Sequence, residues 1–274
     1  MHTRNPLSLA YLTVNGAEPI EHLEAAEAGG FDAAGLRIIP PTHLTIDYGI
    51  VGYPERIREI KRTCERTGVG VLDIEVVTLN AATDVARLLP ALETSAELGA
   101  KFIQAVCEDP DEKRAADRFA ALCDAAGRLG LRVSLEFMRF RNLRTIEAAF
   151  ALVEAAGRSN AGVLVDALHL ARSGGTPEAV AALPPGRIAY MQLCDGPAQS
   201  PPLEELAHES RNERRWPGEG EFPLDELFDA LPDEIPISVE VPRAVDAGRS
   251  MKERAVMAGE ATRAWLAKYR ARRA

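Results

Sequence analysis

Four polar residues stand where the flanking sequence is apolar and β-branched. Glu136 ends the run Val-Ser-Leu-Glu, Asp166 ends Val-Leu-Val-Asp, Gln192 lies within Ala-Tyr-Met-Gln-Leu-Cys-Asp, and Glu240 lies within Ile-Ser-Val-Glu-Val-Pro. An unpaired carboxylate in such surroundings costs several kcal/mol or shifts its pKa until it is neutral. Three buried acids facing one space therefore need a cation, and a divalent metal supplies one. The candidate ligand set of Glu136, Asp166, Gln192 and Glu240 is all oxygen, with no sulfur and no required imidazole. That donor set favours Mn²⁺ or Mg²⁺, with Co²⁺ or Zn²⁺ still admissible.

Residues in four different runs can meet only if the runs are neighbouring strands. Eight short apolar runs recur along the 274 residues, at 6–14, 31–39, 70–79, 101–108, 131–137, 162–168, 187–193 and 235–241. Segments with helical spacing lie between them, at 18–29, 54–67, 85–99, 111–130 and 145–157, and they commonly end at glycine. Eight βα units in a chain of this length predict a (β/α)8 TIM barrel forming a single domain over 1–274, whereas a doubly wound sheet usually has fewer strands and a Gly-rich first turn. In such a barrel, side chains at the C-terminal ends of the strands converge on one mouth. The Pro- and Gly-rich connection 194–221 follows the seventh strand, so it is expected at that mouth with Arg211 and Arg214 as candidate substrate-binding residues.

Composition narrows the partners. Thirty-two Lys and Arg against 41 Asp and Glu give a net charge of −9, which disfavours nucleic acid as a partner. No stretch has the length and apolar character of a membrane span or a signal peptide, so a soluble cytoplasmic protein is expected. The four cysteines, Cys64, Cys107, Cys123 and Cys194, are scattered without a CxxC and read as reduced. The basic end from Lys268 to Arg273 suits a helix C-terminus.

Glu at strand five, Asp166-x-x-His169 at strand six, a polar residue in the strand-seven run and Glu at strand eight together resemble the xylose isomerase-like barrels of sugar phosphate isomerases and epimerases. The resemblance spans essentially the whole chain. It implies that Glu136, Asp166, Gln192 and Glu240 bind the metal and that His169 contacts substrate. Strand seven usually supplies His in these barrels, and Gln192 in its place is similar to bacterial metal-dependent 3-dehydroshikimate dehydratases. The loop Ser210-Arg211-x-x-Arg214-x-Trp216-Pro217-Gly218-x-Gly220-Glu221 is similar to theirs too, whereas Val76-Val77-Thr78-Leu79-Asn80 lacks the arginine they carry after strand three.

Both comparisons imply a first step in which the metal polarises a carbonyl and an adjacent hydroxyl and stabilises the enediolate left by α-proton removal. With Glu136 and Glu240 as bases on opposite faces, proton return makes an isomerase or epimerase of a small sugar, cyclitol or hydroxy-carbonyl substrate. With His169 as general acid expelling a β-hydroxyl, the outcome is a dehydratase or other β-eliminating lyase. A non-catalytic sugar-binding barrel is the remote alternative, and homo-oligomers are common among such barrels. A trinuclear-zinc nuclease would need more ligand-like histidines than this chain offers.

Ordinary structural roles compete at each position. Glu136 would pair with Arg132 or Arg139, Asp166 would cap a helix, His169 would be a core histidine, and Gln192 would bond neighbouring backbone. The charged run around Glu209, Arg211, Glu213, Arg214, Arg215 and Glu219 would be a solvated face. Pro217-Gly218 would be a plain turn, as would Gly174-Gly175, which could otherwise form an anion-binding nest. Glu75, Glu108 and His43 are further candidates near the mouth.

Overall fold

The computed structural model describes residues 5–39, 49–184 and 186–273. His43 lies outside them. Eight parallel strands close into a barrel in sequence order: β1 (Leu7–Leu9), β2 (Ala33–Arg37), β3 (Gly70–Leu79), β4 (Phe102–Cys107), β5 (Arg132–Glu136), β6 (Ala161–Asp166), β7 (Ile188–Leu193) and β8 (Ile237–Val239). The connections carry α1 (Pro19–Ala28), α2 (Pro54–Thr67), α3 (Leu89–Glu97), α4 (Glu112–Gly127), α5 (Ile146–Ala156), α6 (Ala167–Arg172), α7 (Pro177–Ala181), α8 (Leu206–Asn212), α9 (Leu224–Ala230) and α10 (Met251–Ala271).

The helix limits follow from local chemistry. Asp111 accepts the Arg114 amide at 2.9 Å to start α4, Thr145 accepts that of Ala148 to start α5, and Ser250 with Glu253 forms a capping box on α10. Gly68 and Gly157 end α2 and α5 at φ 73° and 63°, a conformation that costs other residues a Cβ clash.

Six of the eight apolar runs end beyond the strands they predicted, and two of these are instructive. In the first, residues 11–14 form a short 3-10 turn after β1, and in the sixth, β6 stops at Asp166 because the carboxylate there caps α6. The 85–99 segment is a 3-10 turn, Val85–Leu88, running into α3.

Most apolar side chains pack in the layer between strands and helices. Alternation along a strand puts Leu164 on the face of Asp166 and Tyr190 on the face of Gln192, so these residues fill the barrel beneath the mouth. They cluster with Leu72, Phe102 and Ala189, the Phe102 and Tyr190 rings lying 5.1 Å apart. A largely apolar plug therefore underlies the polar residues above it, interrupted where the Tyr190 hydroxyl donates to buried Asp73 at 3.1 Å. The basic C-terminal segment is tied down by acids of α9, with Arg272 on Asp225 at 2.6 Å and Arg273 on Asp229. No helix among the described residues is long and apolar enough to cross a membrane.

Candidate active site

Strand register sets the site. Asp166 is level with Gln192 across β6 and β7, and Gln192 is level with Ser238, two residues before Glu240, across β7 and β8. Glu136 ends β5, level with Val106 of β4. These ends surround a cavity of about 310 Å³ whose wall includes Glu136, His169, Arg211, Arg214 and Glu240. Asp166 and Gln192 lie fully buried behind that wall.

Each side chain has a defined partner. Glu136 Oε2 accepts from Gln104 Nε2 at 2.7 Å, and its Oε1 is 3.7 Å from His169 Nε2. Neither arginine proposed as its structural partner is bonded to it; Arg132 instead donates to Gly186 O at 2.8 Å, at the opposite end of the strands. Asp166 uses its two oxygens differently. Oδ1 accepts the His169 amide at 3.0 Å and caps α6, while Oδ2 meets Arg214 Nη1 at 2.6 Å. Gln192 donates through Nε2 to Glu240 Oε1 at 3.1 Å rather than to backbone, and its buried Oε1 has no partner among the described residues. Glu240 Oε2 meets Arg214 Nη2 at 2.8 Å.

Arg214, a candidate substrate residue from the sequence, is thus buried between two of the three acids. The Ser210 carbonyl accepts from its Nε at 2.9 Å and completes the clasp. The cation that these acids need is, within the chain, this guanidinium. One cation does not balance three anions, and the proton affinities diverge accordingly. Burial opposes the charge of Asp166, but Arg214 outweighs it and holds Asp166 below the usual carboxylate range. Burial, reinforced by the Asp166 charge, pushes Glu136 up to about 8. Burial also raises Glu240 well above its ordinary value, since its share of Arg214 does not offset neighbouring carboxylates. His169 is fully enclosed against Phe140, ring centroids 5.8 Å apart, and burial lowers it to about 4.

The donor atoms also suit a metal. Glu136, Asp166 and His169 each offer a ligand atom, and all three lie within 4.8 Å of one another. The orphaned Gln192 Oε1 and the second acid partner, Glu240, stand beside them. His169, assigned to substrate from the sequence, belongs geometrically to this group.

The loop after β7 is held by Asp195, which the sequence reading did not single out. Its Oδ1 accepts the amides of Gly196 and Phe222 at 2.8 and 3.1 Å, and its Oδ2 accepts those of Gly218 and Gly220 at 2.9 and 3.0 Å. A Cβ at Gly220 would sit 2.2 Å from Asp195 Oδ1, which explains the glycine. The charged run is not simply a solvated face, because Glu209, Ser210 and Arg214 are buried. Glu209 receives Arg172 through two bonds of 2.8 and 2.6 Å, fastening α8 to α6. Gly174 and Gly175 spend their amides on Ala171 O and Leu170 O, so they form a turn rather than an anion nest.

Several cavity residues escaped the sequence reading. Gln104 was detectable by the signal that found Gln192, a polar residue inside an apolar strand run. Arg37 ends β2, lies 4.1 Å over the Tyr11 ring and meets Glu75 Oε2 at 3.0 Å. Arg141, in the loop after β5, is ion-paired with Glu108. Neither arginine has a sequence context that sets it apart.

A 3-dehydroshikimate dehydratase of Pseudomonas aeruginosa is 29% identical to this chain over 231 residues, covering 79% of the chain and 34% of that relative. The chain thus spans about a third of the length of that relative. An inosose isomerase of Bacillus velezensis is 28% identical over 191 residues, 65% of this chain and 66% of its own. Among solved structures, the IOLI protein with a bound zinc atom superposes with a TM-score of 0.80 at 22% identity, covering 96% of this chain and 99% of the other. A D-psicose 3-epimerase in the presence of D-fructose gives 0.73 at 18% identity, with coverage of 94% and 97%. These two likenesses show the fold. Residues 23–268, nearly the whole barrel, match the model of one family, and the chain belongs to it: the xylose isomerase-like TIM barrels.

Proposed function

We propose that this chain is a divalent-metal-dependent isomerase or epimerase that moves a proton at the carbon next to a carbonyl of a small polyhydroxylated substrate. The observation that carries the reading is a pair of buried glutamates, Glu136 and Glu240, both lining the cavity and both with raised proton affinity. Glu136, raised to about 8 by burial, can take up and return a proton near neutral pH, and burial raises Glu240 in the same direction. Glu136, Asp166, Gln192 and Glu240 would hold the metal, with His169 beside them. Mn²⁺ or Mg²⁺ suits the oxygen donors, and inclusion of His169 would widen the choice to Zn²⁺ or Co²⁺. A bound divalent cation polarises a carbonyl and offsets negative charge on its oxygen. Glu136 Oε1 then carries the proton, Gln104 fixes the orientation of that carboxyl through Oε2, and Phe140 with His169 screens it from water.

A second reading, a dehydratase of 3-dehydroshikimate type, draws on the unequal settings of the two glutamates. Glu240 is pinned by both Arg214 and Gln192, whereas Glu136 keeps Oε1 near the imidazole. One mobile base beside one imidazole suits proton removal at one carbon and protonation of a leaving hydroxyl at the next. The likeness to the dehydratase of Pseudomonas aeruginosa supports the same outcome.

Proton NMR in D₂O separates the two. Mg²⁺-loaded protein is incubated with ketoses, inosose-type cyclitols and 3-dehydroshikimate. Deuterium at the α-carbon of an epimeric or isomeric product supports the first reading, and new olefinic or aromatic signals support the second. Absence of both exchange and elimination across Mn²⁺, Mg²⁺, Co²⁺ and Zn²⁺ would count against any enzyme of this kind and favour a sugar-binding barrel.

A further inference from the structure

Among the described residues four arginines line the cavity, and three of them have carboxylates of their own. Arg37 meets Glu75, Arg214 lies between Asp166 and Glu240, and Arg141 is paired with Glu108. Arg211 has no hydrogen bond or ion pair with any described residue, although it lines the same cavity. Arg141 contributes a further unused donor, since its buried Nε has no partner among the described residues.

Arg141 and Arg211 line the same cavity. The Arg141 guanidinium is 6.0 Å from the centre of the Phe140 ring, and Phe140 packs against His169. Burial and then the charge of Arg211 hold Arg141 below its usual value. Two like charges thus line one cavity, and among the described residues Glu108 is the carboxylate paired with either of them. The position of Arg211 is built rather than incidental. It follows Glu209 and Ser210, both buried, on a helix clamped by the Arg172 pair.

A surplus guanidinium beside a half-used one is the arrangement that receives an anionic oxygen group, because the planar fork matches carboxylate and phosphate geometry. We propose that Arg211 and the free Nε of Arg141 form an anion subsite at the cavity mouth, which binds a carboxylate or phosphate carried by a polyhydroxylated substrate whose reacting carbons lie at Glu136. The subsite supplies substrate selection: it separates anionic hydroxy-carbonyl compounds from neutral sugars and cyclitols of the same size. This inference rests on the carbon-acid reading of the site and narrows its substrate class.

The test is isothermal titration of wild type, Arg211→Gln and Arg211→Lys with quinate, its uncharged methyl ester and inorganic phosphate, on both chelator-treated and Mn²⁺-loaded protein. Arg211 is exposed, so its variants are expected to fold, and far-UV circular dichroism checks this. Wild type is expected to bind quinate at least about tenfold more tightly than the ester. Arg211→Gln should remove that preference without weakening the ester, and Arg211→Lys should keep part of it. Phosphate that competes with quinate, and is weakened by Arg211→Gln, would identify one shared subsite; the more tightly bound anion names its natural group. Equal binding of either anion to wild type and Arg211→Gln, or no binding of either anion to wild type, overturns the proposal. Mn²⁺ titrated separately keeps the two ideas apart: normal Mn²⁺ binding without anion preference defeats only the subsite. Loss of Mn²⁺ binding counts against the metal reading, while the chelator-treated arm still decides the subsite.

Discussion

Glu136 and Asp166 are buried carboxylates on neighbouring strands, yet one holds a proton near neutrality and the other does not. The difference lies in their partners: Arg214 and the start of α6 both stabilise charge on Asp166, whereas Glu136 has one amide and a neighbouring anion. Replacing Glu136 by Gln removes the proton carrier while keeping the shape. Turnover should fall by about 10²–10⁴-fold with unfolding temperature unchanged or raised, measured by product formation and calorimetry. Unchanged turnover would remove Glu136 from the chemistry. Replacing Glu240 by Gln should weaken Mn²⁺ binding as well as turnover, read by titration with the metal; a variant retaining both would show that the centre lies elsewhere. Both glutamates belong to the set that would hold the metal, so Mn²⁺ titration of each variant distinguishes lost metal binding from lost proton transfer.

The connection between β7 and α9 owes its shape to Asp195, whose carboxylate accepts four backbone amides. Those bonds, with the reciprocal backbone pairing of Asp195 and Arg215, fix the stretch that carries Arg211 and Arg214 to the mouth. Asp195→Ala leaves amides without acceptors and should lower stability by about 2–4 kcal/mol, measured by urea unfolding. KM should rise more than kcat falls, and limited proteolysis should cut within 194–221; an intact loop with unchanged KM would contradict this account. The sequence revealed the Pro and Gly residues that break this connection into short pieces. It did not reveal the acceptor that gathers them, since an Asp after a strand is common and the four donors come from 196 to 222.

His22 of α1 lies buried against β1, where its Nε2–H donates to Leu9 O at 3.0 Å while its buried Nδ1 has no partner among the described residues. Burial lowers this imidazole to about 4 from an ordinary value of 6.5. The unfolded chain therefore takes up the proton first as pH falls, and stability held above pH 6.5 is lost progressively toward pH 4. The loss reaches roughly 3 kcal/mol. His22→Gln keeps a side-chain donor and has nothing to titrate, so its unfolding free energy should decline less than that of wild type over this window. Parallel curves for the two proteins in urea melts at pH 7.5, 5.5 and 4.5 would refute the assignment.

The strand count, the barrel and the identity of the four polar strand ends were fixed by the chain itself, because alternation within strands and glycine-ended helices are local properties. Glu136, Asp166, Gln192 and Glu240 stood out because polar groups inside apolar runs are costly unless something compensates them. What compensates them was a matter of tertiary structure. Arg214 is 48 residues from Asp166 and 26 from Glu240, so no local pattern could pair it with either. The same holds for Gln104 on Glu136 and Arg37 on Glu75, contacts made only when strands β2 to β5 lie side by side. Residue type and spacing therefore determined where charge had to be answered, and packing over long sequence separations decided which groups answer it.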